Sequence, residues 1–320
     1  MATARVFLAA LAVMFGTLAT HGPARAADIV IGVPSWSSAE ATAHVLGEII
    51  HQKFGVSVAY KAGTNEEIFA GMDSGSVQVH PEVWLPNHRD LVLAYVNGKK
   101  TVAMNPHGVP ATQGMCTTAA TSEKYHIASI ADLSDPEKVK IFDTDSNGKG
   151  EVWIGDKDWA STRIEKIRAK SYGYDTTMTL LEGEETVAMA MIDVAVATGK
   201  PLVFYCYAPH HLFQLHDVKL LDEPAHDPTK WIVHSPSDDP DWLKNSSAPV
   251  AWDVSFLHIH YQKALEETHP DIAKLLSNVE LDTDTISAMT YALVVERTDP
   301  AEFAGEWVRE NAERIEGWLQ

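Results

Sequence analysis

Cysteine is nearly absent from this chain: Cys116 and Cys206 are the only two in 320 residues. That excludes a disulfide-dense small scaffold and a cysteine-built zinc cluster. Basic residues are also scarce, 25 Lys+Arg against 44 Asp+Glu for a formal net charge of −19. A nucleic-acid partner is therefore not expected, because phosphate neutralisation needs a positive surface. Gly-x-Ser-x-Gly, His-Glu-x-x-His and P-loop patterns do not occur, so nothing positive supports an enzyme. No internal repeat or low-complexity tract appears. Long apolar runs are missing too: the run from Val6 to Leu18 falls short of the ~20 residues needed to span a bilayer.

That run follows Arg5 and precedes the small-residue site Ala24-Arg25-Ala26. Residues 1–26 thus read as a cleavable secretory signal peptide. No cysteine lies near the cleavage site, so no lipid anchor is expected. Loss of Arg5 and Arg25 would make the mature chain two units more negative. Its roughly 290 residues exceed one ordinary core and suit two domains. In an oxidising compartment Cys116 and Cys206 are either bridged or two buried thiols, depending on whether their Cα atoms come within ~7 Å.

Strands and helices alternate from the start of the mature chain. Asp28 to Pro34, Phe54 to Tyr60 and Ser76 to Val79 read as strands, and Ser35 to Lys53 and Asn65 to Met72 as helices. This is the pattern of an α/β protein with mainly parallel sheets. Asn105-Pro-His-Gly-Val-Pro110 then punctuates the chain. Beyond it, Gly114 to Thr118, Thr177 to Glu182 and Pro201 to Tyr207 read as strands. Ile127 to Leu133, Ser161 to Lys170 and Thr186 to Gly199 read as helices. After a long polar excursion from Glu223 to Pro249, Val250 to His260 is a further strand and the last 60 residues are mostly helical. The simplest topology is a first lobe over 27–110, a second over 111–250 and a return to the first over 251–320.

Trp84 and Trp159 stand in short polar segments, His80-Pro-Glu-Val-Trp84-Leu-Pro-Asn-His88 and Asp156-Lys-Asp-Trp159-Ala-Ser-Thr-Arg163. Each reads as a ligand contact, one per lobe. Trp36 and Trp84 are expected just past strand ends, where ligands gather in open α/β sheets. With Tyr207, and with Tyr205 and Trp153 in reserve, these rings suit a quaternary ammonium. Such a cation has no N–H to donate, but each ring face attracts it by roughly 0.5–2 kcal/mol. His88, four residues after Trp84, and the Ala160-Ser161 backbone at a helix start are placed to hold an anionic group at the ligand's other end.

Two stretches carry metal-ligand residue types. Asp143-Thr-Asp145-Ser-Asn147-Gly148-Lys-Gly-Glu151 matches the first half of an EF-hand loop, but Ile154 stands where the bidentate Glu belongs. The segment is either a structural calcium loop with another last ligand, Asp156 or Asp158, or a plain Asx turn. His210, His211 and His216, and separately His258 and His260, match no zinc spacing.

At these residues the chain resembles the periplasmic substrate-binding proteins of glycine betaine/proline-type ABC importers. The likeness runs through Val83 to His88, Ile141 to Gly150, Trp159 to Ser161, Lys200 to Tyr207 and the closing Gly317-Trp318. It implies a two-lobed periplasmic binding protein of type II, each lobe a mainly parallel sheet flanked by helices, with a two-strand hinge at Val109 to Gly114 and Ala248 to Val254. It also implies cage walls at Trp84, Trp159 and Tyr207, a carboxylate donor at His88, and N–H groups from Ala160 and Ser161. Tyr207 replaces a Trp of the relatives, and Trp36 and Glu82 appear where those relatives lack an aromatic and an acid. Glycine betaine, choline or trimethylamine N-oxide all keep the methylated nitrogen. The implied partners are that small osmolyte and an inner-membrane ABC permease with its ATPase; the protein is expected to be a monomer in the periplasm with no cofactor beyond the calcium considered above.

Overall fold

The computed structural model describes residues 27–320, so the signal-peptide reading lies outside the described residues. The chain runs β1 (Ile29–Val33), α1 (Ser37–Phe54), β2 (Val58–Ala62), α2 (Asn65–Ser74), β3 (Val79–Leu85), α3 (Arg89–Val92), β4 (Val102–Met104) and β5 (Val109–Thr118). It continues through α4 (Ala119–Tyr125), β6 (Gly150–Trp153), α5 (Ala160–Tyr172), β7 (Met178–Leu181), α6 (Glu185–Thr198), β8 (Val203–Ala208), β9 (Val218–Leu220) and β10 (Ser255–Gln262). Helices Pro270–Asn278, Thr283–Val294, Pro300–Glu310 and Ala312–Leu319 close it.

The strands follow the order β2-β1-β3-β10-β5-β8-β6-β7, with β4 beside β10 and β9 beside β5. β1 pairs parallel with β2 and β3, and β6 pairs parallel with β7 and β8. β10 and β5 run antiparallel to all their neighbours. The expectation of mainly parallel sheets is therefore corrected to mixed ones. Returning chain segments bring β5 and β10 through the middle, and only the βαβ units on either side enforce parallel pairing.

β5 joins the two lobes. Ala111 still pairs with Ser255 of β10, whereas Thr112 onward pairs with β8. Of the closing helices, Thr283–Val294 and Pro300–Glu310 pack back on α1, whose buried Ala39, Ala43, Leu46 and Ile50 fall on one helical stripe. α2 starts at a capping box, in which Thr64 Oγ1 accepts from Glu67 N–H and the Glu67 carboxylate accepts from Thr64 N–H.

Several boundaries differ from the sequence reading; Phe54, expected to open a strand, ends α1 and β2 begins only at Val58, while β5 begins at Val109 rather than Gly114. The strand expected to end at Val79 instead runs on through Pro81 to Leu85; β10 shifts register opposite Pro81, between His258 and His260, where a residue without N–H is tolerated. Thr118 Oγ1 caps the Thr121 N–H, so a helix forms over 119–125, and the expected helix at Ile127 to Leu133 is only a 3-10 turn at Ile130–Ser134. β10 begins at Ser255 rather than Val250. Cys116 and Cys206, on the adjacent strands β5 and β8 with Cα atoms 5.7 Å apart, are joined as a disulfide.

Candidate functional site

The site forms where β1, β3 and β6 end and hand over to helices, and one face of β8 completes it. Trp36 is the N-cap residue of α1, Trp84 the penultimate residue of β3, His88 the N-cap of α3 and Trp159 the N-cap of α5. Gly155 makes the turn before Trp159 possible. Its φ of +118 suits glycine, and a Cβ there would meet Thr162 Oγ1 at 2.3 Å. Tyr205 and Tyr207 are two apart on β8 and so share a face.

These side chains enclose one cavity of about 320 Å³ of non-atom space, its mouth included. Trp36, Trp84, Trp159, Tyr205 and Tyr207 supply the rings; Asn87, His88, Ala160 and Ser161 supply the polar side. Trp36 and Trp159 meet edge to face at 6.3 Å, Trp84 and Tyr207 at 5.3 Å, and Trp159 and Tyr207 at 5.8 Å. The first two contacts cross between lobes. Trp84 is 6 % and Trp159 7 % exposed, so neither stands in an open loop; both belong to the buried aromatic cluster as well as to the cavity wall. Trp84 lies within β3, not past its end. Trp153 does not line the cavity. It packs behind Trp159 at 5.8 Å and donates to Gly183 O.

Hydrogen bonds also bridge the lobes. Trp159 Nε1 donates to Ser35 Oγ at 3.0 Å, and Ser37 N–H, in the first turn of α1, donates to Glu185 Oε2 at 2.9 Å. Glu185 Oε1 in turn accepts from the Tyr207 hydroxyl. On β5, Gln113 exchanges two hydrogen bonds with Asn87, donates to Ser255 Oγ and accepts from the Tyr205 hydroxyl. One side chain thus ties the cavity to both lobes at the crossing strand. Ser35, Asn87, Gln113 and Glu185 were not singled out in the sequence. An acid at a helix start such as Glu185 ordinarily signals only a favourable dipole contact.

Glu82 sits behind the rings rather than among the residues facing the cavity. Its Oε1 accepts from Trp36 Nε1, Trp84 Nε1 and Ser38 Oγ. Burial pushes its carboxyl up to about 7, against the lowering effect of those hydrogen bonds. His88 is held down at about 3 by burial, with the Arg163 charge adding to it. The imidazole facing the cavity is therefore neutral and offers one N–H.

His80 and His260 are likewise buried, with pKa values well below the ordinary range and down to about 3. The unfolded chain binds protons on these groups near pH 6.5, the folded chain only far lower, so they favour folding above pH 6.5 and lose that effect as pH falls toward 3. For His88 and His260 the loss by pH 5 is on the order of 2 kcal/mol each, opposed by a similar gain from Glu82, whose raised pKa acts in the other sense. The urea midpoint is thus expected to drop between pH 7 and pH 5, less steeply in His260→Gln. An equal slope in the variant would remove His260 from this account.

The metal readings gather little. The carboxylates of Asp143, Asp145 and Glu151 come within 4.8 Å of one another. However, Asp143 and Asp145 accept from the Asn147 N–H, Asp143 also from the Gly148 N–H, and Glu151 from Thr144. Ile154 is fully buried and supplies no twelfth-position ligand. The loop's own Asx-type turns therefore use the same three carboxylates that a calcium ion would draw on. His210 faces Glu185, His216 faces Asp193, and His258 and His260 turn to backbone carbonyls.

A two-lobed α/β protein with an aromatic cavity closed between its lobes has the architecture of the substrate-binding receptors of ABC importers. Residues 27–310 match the family described as the substrate binding domain of ABC-type glycine betaine transport systems, and the chain belongs to it. It is 26 % identical over 261 residues to the glycine betaine/proline betaine-binding periplasmic protein of Salmonella typhimurium, covering 79 % of this chain and 77 % of the relative. It is 23 % identical to the trimethylamine N-oxide-binding protein of Pelagibacter ubique over 94 % of both chains. Among solved structures it resembles lactococcal OpuAC in its closed, glycine betaine-bound form, with a TM-score of 0.69 and 18 % identity over 91 % of this chain and 99 % of that one. The family consists of transport receptors that bind small molecules and work with a membrane permease. Among the described residues no helix is long and apolar enough to cross a membrane.

Proposed function

We propose that this protein captures a methylated ammonium osmolyte, glycine betaine or a close relative, between its lobes and delivers it to an inner-membrane permease. The observation that carries this is the ring set: Trp36 and Trp84 from one side and Trp159 and Tyr207 from the other surround one cavity. Three or four ring faces suffice for most of the ~8 kcal/mol of micromolar binding. His88 and the backbone N–H groups of Ala160 and Ser161, at the start of α5, would take the carboxylate of a betaine. In this reading residues 27–110 and 251–320 form one lobe and 111–250 the other, and a monomer exported to the periplasm by residues 1–26 does the work. It closes on ligand because the cross-lobe contacts form only when the lobes meet.

Choline or trimethylamine N-oxide is the second reading, supported by the neutral His88 and by the buried acids Glu82 and Glu185 near the rings. A thermal-shift screen of glycine betaine, proline betaine, choline, carnitine, proline and trimethylamine N-oxide separates them. Stabilisation by none of the methylated amines would sink the proposal. His88→Ala is expected to weaken betaine selectively, and unchanged betaine binding would take His88 out of the site.

A further inference from the structure

One carboxylate stands behind two walls of the cage. Glu82 Oε1 accepts from Trp36 Nε1 at 2.7 Å, Trp84 Nε1 at 3.1 Å and Ser38 Oγ at 2.7 Å. The residue is 1 % exposed, its Oε2 is buried without a hydrogen-bond partner, and among the described residues no Lys, Arg or His forms an ion pair with it. If aligning two indoles were the whole purpose, a neutral acceptor would do it without burying a charge, which is costly when unpaired. What a carboxylate adds is polarisation: an indole N–H drawn toward an anion leaves more negative charge on the ring, and ring faces attract cations by that charge.

We propose that Glu82 is a positioning and specificity-determining residue, which acts through the indoles of Trp36 and Trp84 to select a permanently charged ammonium over a neutral group of the same shape. This rests on the ligand class proposed above. The bound cation serves as the missing counter-charge, held one ring away from the carboxylate.

The groups facing Glu82 set how this depends on pH. On its own strand, His80 Nδ1 accepts the Glu82 N–H and is kept neutral by burial. Ser38 comes from α1, the like charge of Glu185 from α6, and the Tyr207 hydroxyl from β8. His107 lies beside Glu82 at a second small cavity. Burial first, then Glu185, raise the Glu82 carboxyl to about 7, so the unliganded protein holds part of a proton there at neutral pH. A cation in the cage favours the ionised form. Binding therefore releases a fraction of a proton, and affinity rises from pH 6 to pH 8.

The test compares glycine betaine with 3,3-dimethylbutanoate, its isostere with carbon in place of nitrogen, on wild type and Glu82→Gln by calorimetry. Betaine affinity is expected to fall about tenfold in the variant while the isostere changes less than about twofold. Equal weakening of both ligands would mean that Glu82 only shapes the site, and would overturn the proposal. Wild type alone supplies a second reading should the variant not fold: betaine titrations at pH 7 in two buffers of different ionisation enthalpy. Proton release supports the proposal; none, together with equal wild-type affinity for betaine and its isostere, overturns it. Should betaine, choline and trimethylamine N-oxide all fail to bind wild type, the ligand class falls and this inference with it; binding without proton release or charge selectivity removes the inference alone.

Discussion

Arg168→Ala is expected to destabilise the protein by about 3–5 kcal/mol, because it strands buried carboxylates without their counter-charge. Arg168 is fully buried on α5. Its guanidinium donates to Glu165 Oε1 at 2.9 Å, to Glu223 Oε2 at 2.5 Å and to the Val250 carbonyl, and it lies 5.5 Å from the Tyr172 ring and 5.8 Å from that of Trp252. Burial pushes the Glu165 carboxyl up despite Arg168, so losing the guanidinium would leave that acid taking a proton or unfolding its surroundings. The network also ties α5, whose first turn carries the cage, to the long excursion around Glu223 and to the segment returning through Val250. Urea unfolding measures the effect. A loss under 1 kcal/mol would show that the network is relaxed or hydrated.

Trp159→Ala is expected to lower affinity for the methylated cation at least tenfold, as a loss of more than ~1.4 kcal/mol requires. The ring face accounts for roughly 0.5–2 kcal/mol. The substitution also removes the Trp159 hydrogen bond to Ser35 and the ring contacts to Trp36 and Tyr207, two of which hold one lobe to the other. Closure and binding suffer together. Trp84→Ala should behave likewise, and Trp159→Phe should recover part of the loss by restoring a face without the N–H. Titration by calorimetry, with circular dichroism to confirm folding, gives the answer. Near-normal affinity in both alanine variants would dispose of the cage.

Much of the fold around the cavity was legible because its signals are local. β1, α1, α2, α5, β7 and α6 follow from apolar runs, helix spacing and glycine stops at Gly55, Gly75, Gly173 and Gly199, each of which adopts positive φ. Where the reading failed, a local signal was overridden. Pro81 would end most strands, but the irregular register of β10 opposite it lets β3 continue to Trp84. The parallel pattern of the βαβ units said nothing about β5 and β10, whose antiparallel pairing depends on segments more than 140 residues apart, such as Ala111 and Ser255.

The candidate site divides the same way. Trp84, His88 and Trp159 were legible as rings and donors in polar segments, and Tyr207 through the family resemblance. Glu82 was legible as an unusual acid, but not as the shared acceptor of two indoles. Nothing local marks Gln113 or Glu185, because their meaning lies in partners distant in the chain, Asn87, Ser255 and Tyr205 for one and Ser37 and Tyr207 for the other.

By itself the sequence determined the α/β class, the aromatic residues suited to a methylated nitrogen, and the acidic balance of the chain; these depend on residue type and short spacing. Tertiary structure alone decided that Trp36 and Trp84 turn their N–H groups to one buried carboxylate and that Glu185 reaches across to α1. It also decided that Cys116 and Cys206 are bridged. Apart from Trp84 and Glu82, two apart on β3, these are relations between residues distant in the chain, set by strand register and lobe closure, which short-range pattern does not encode.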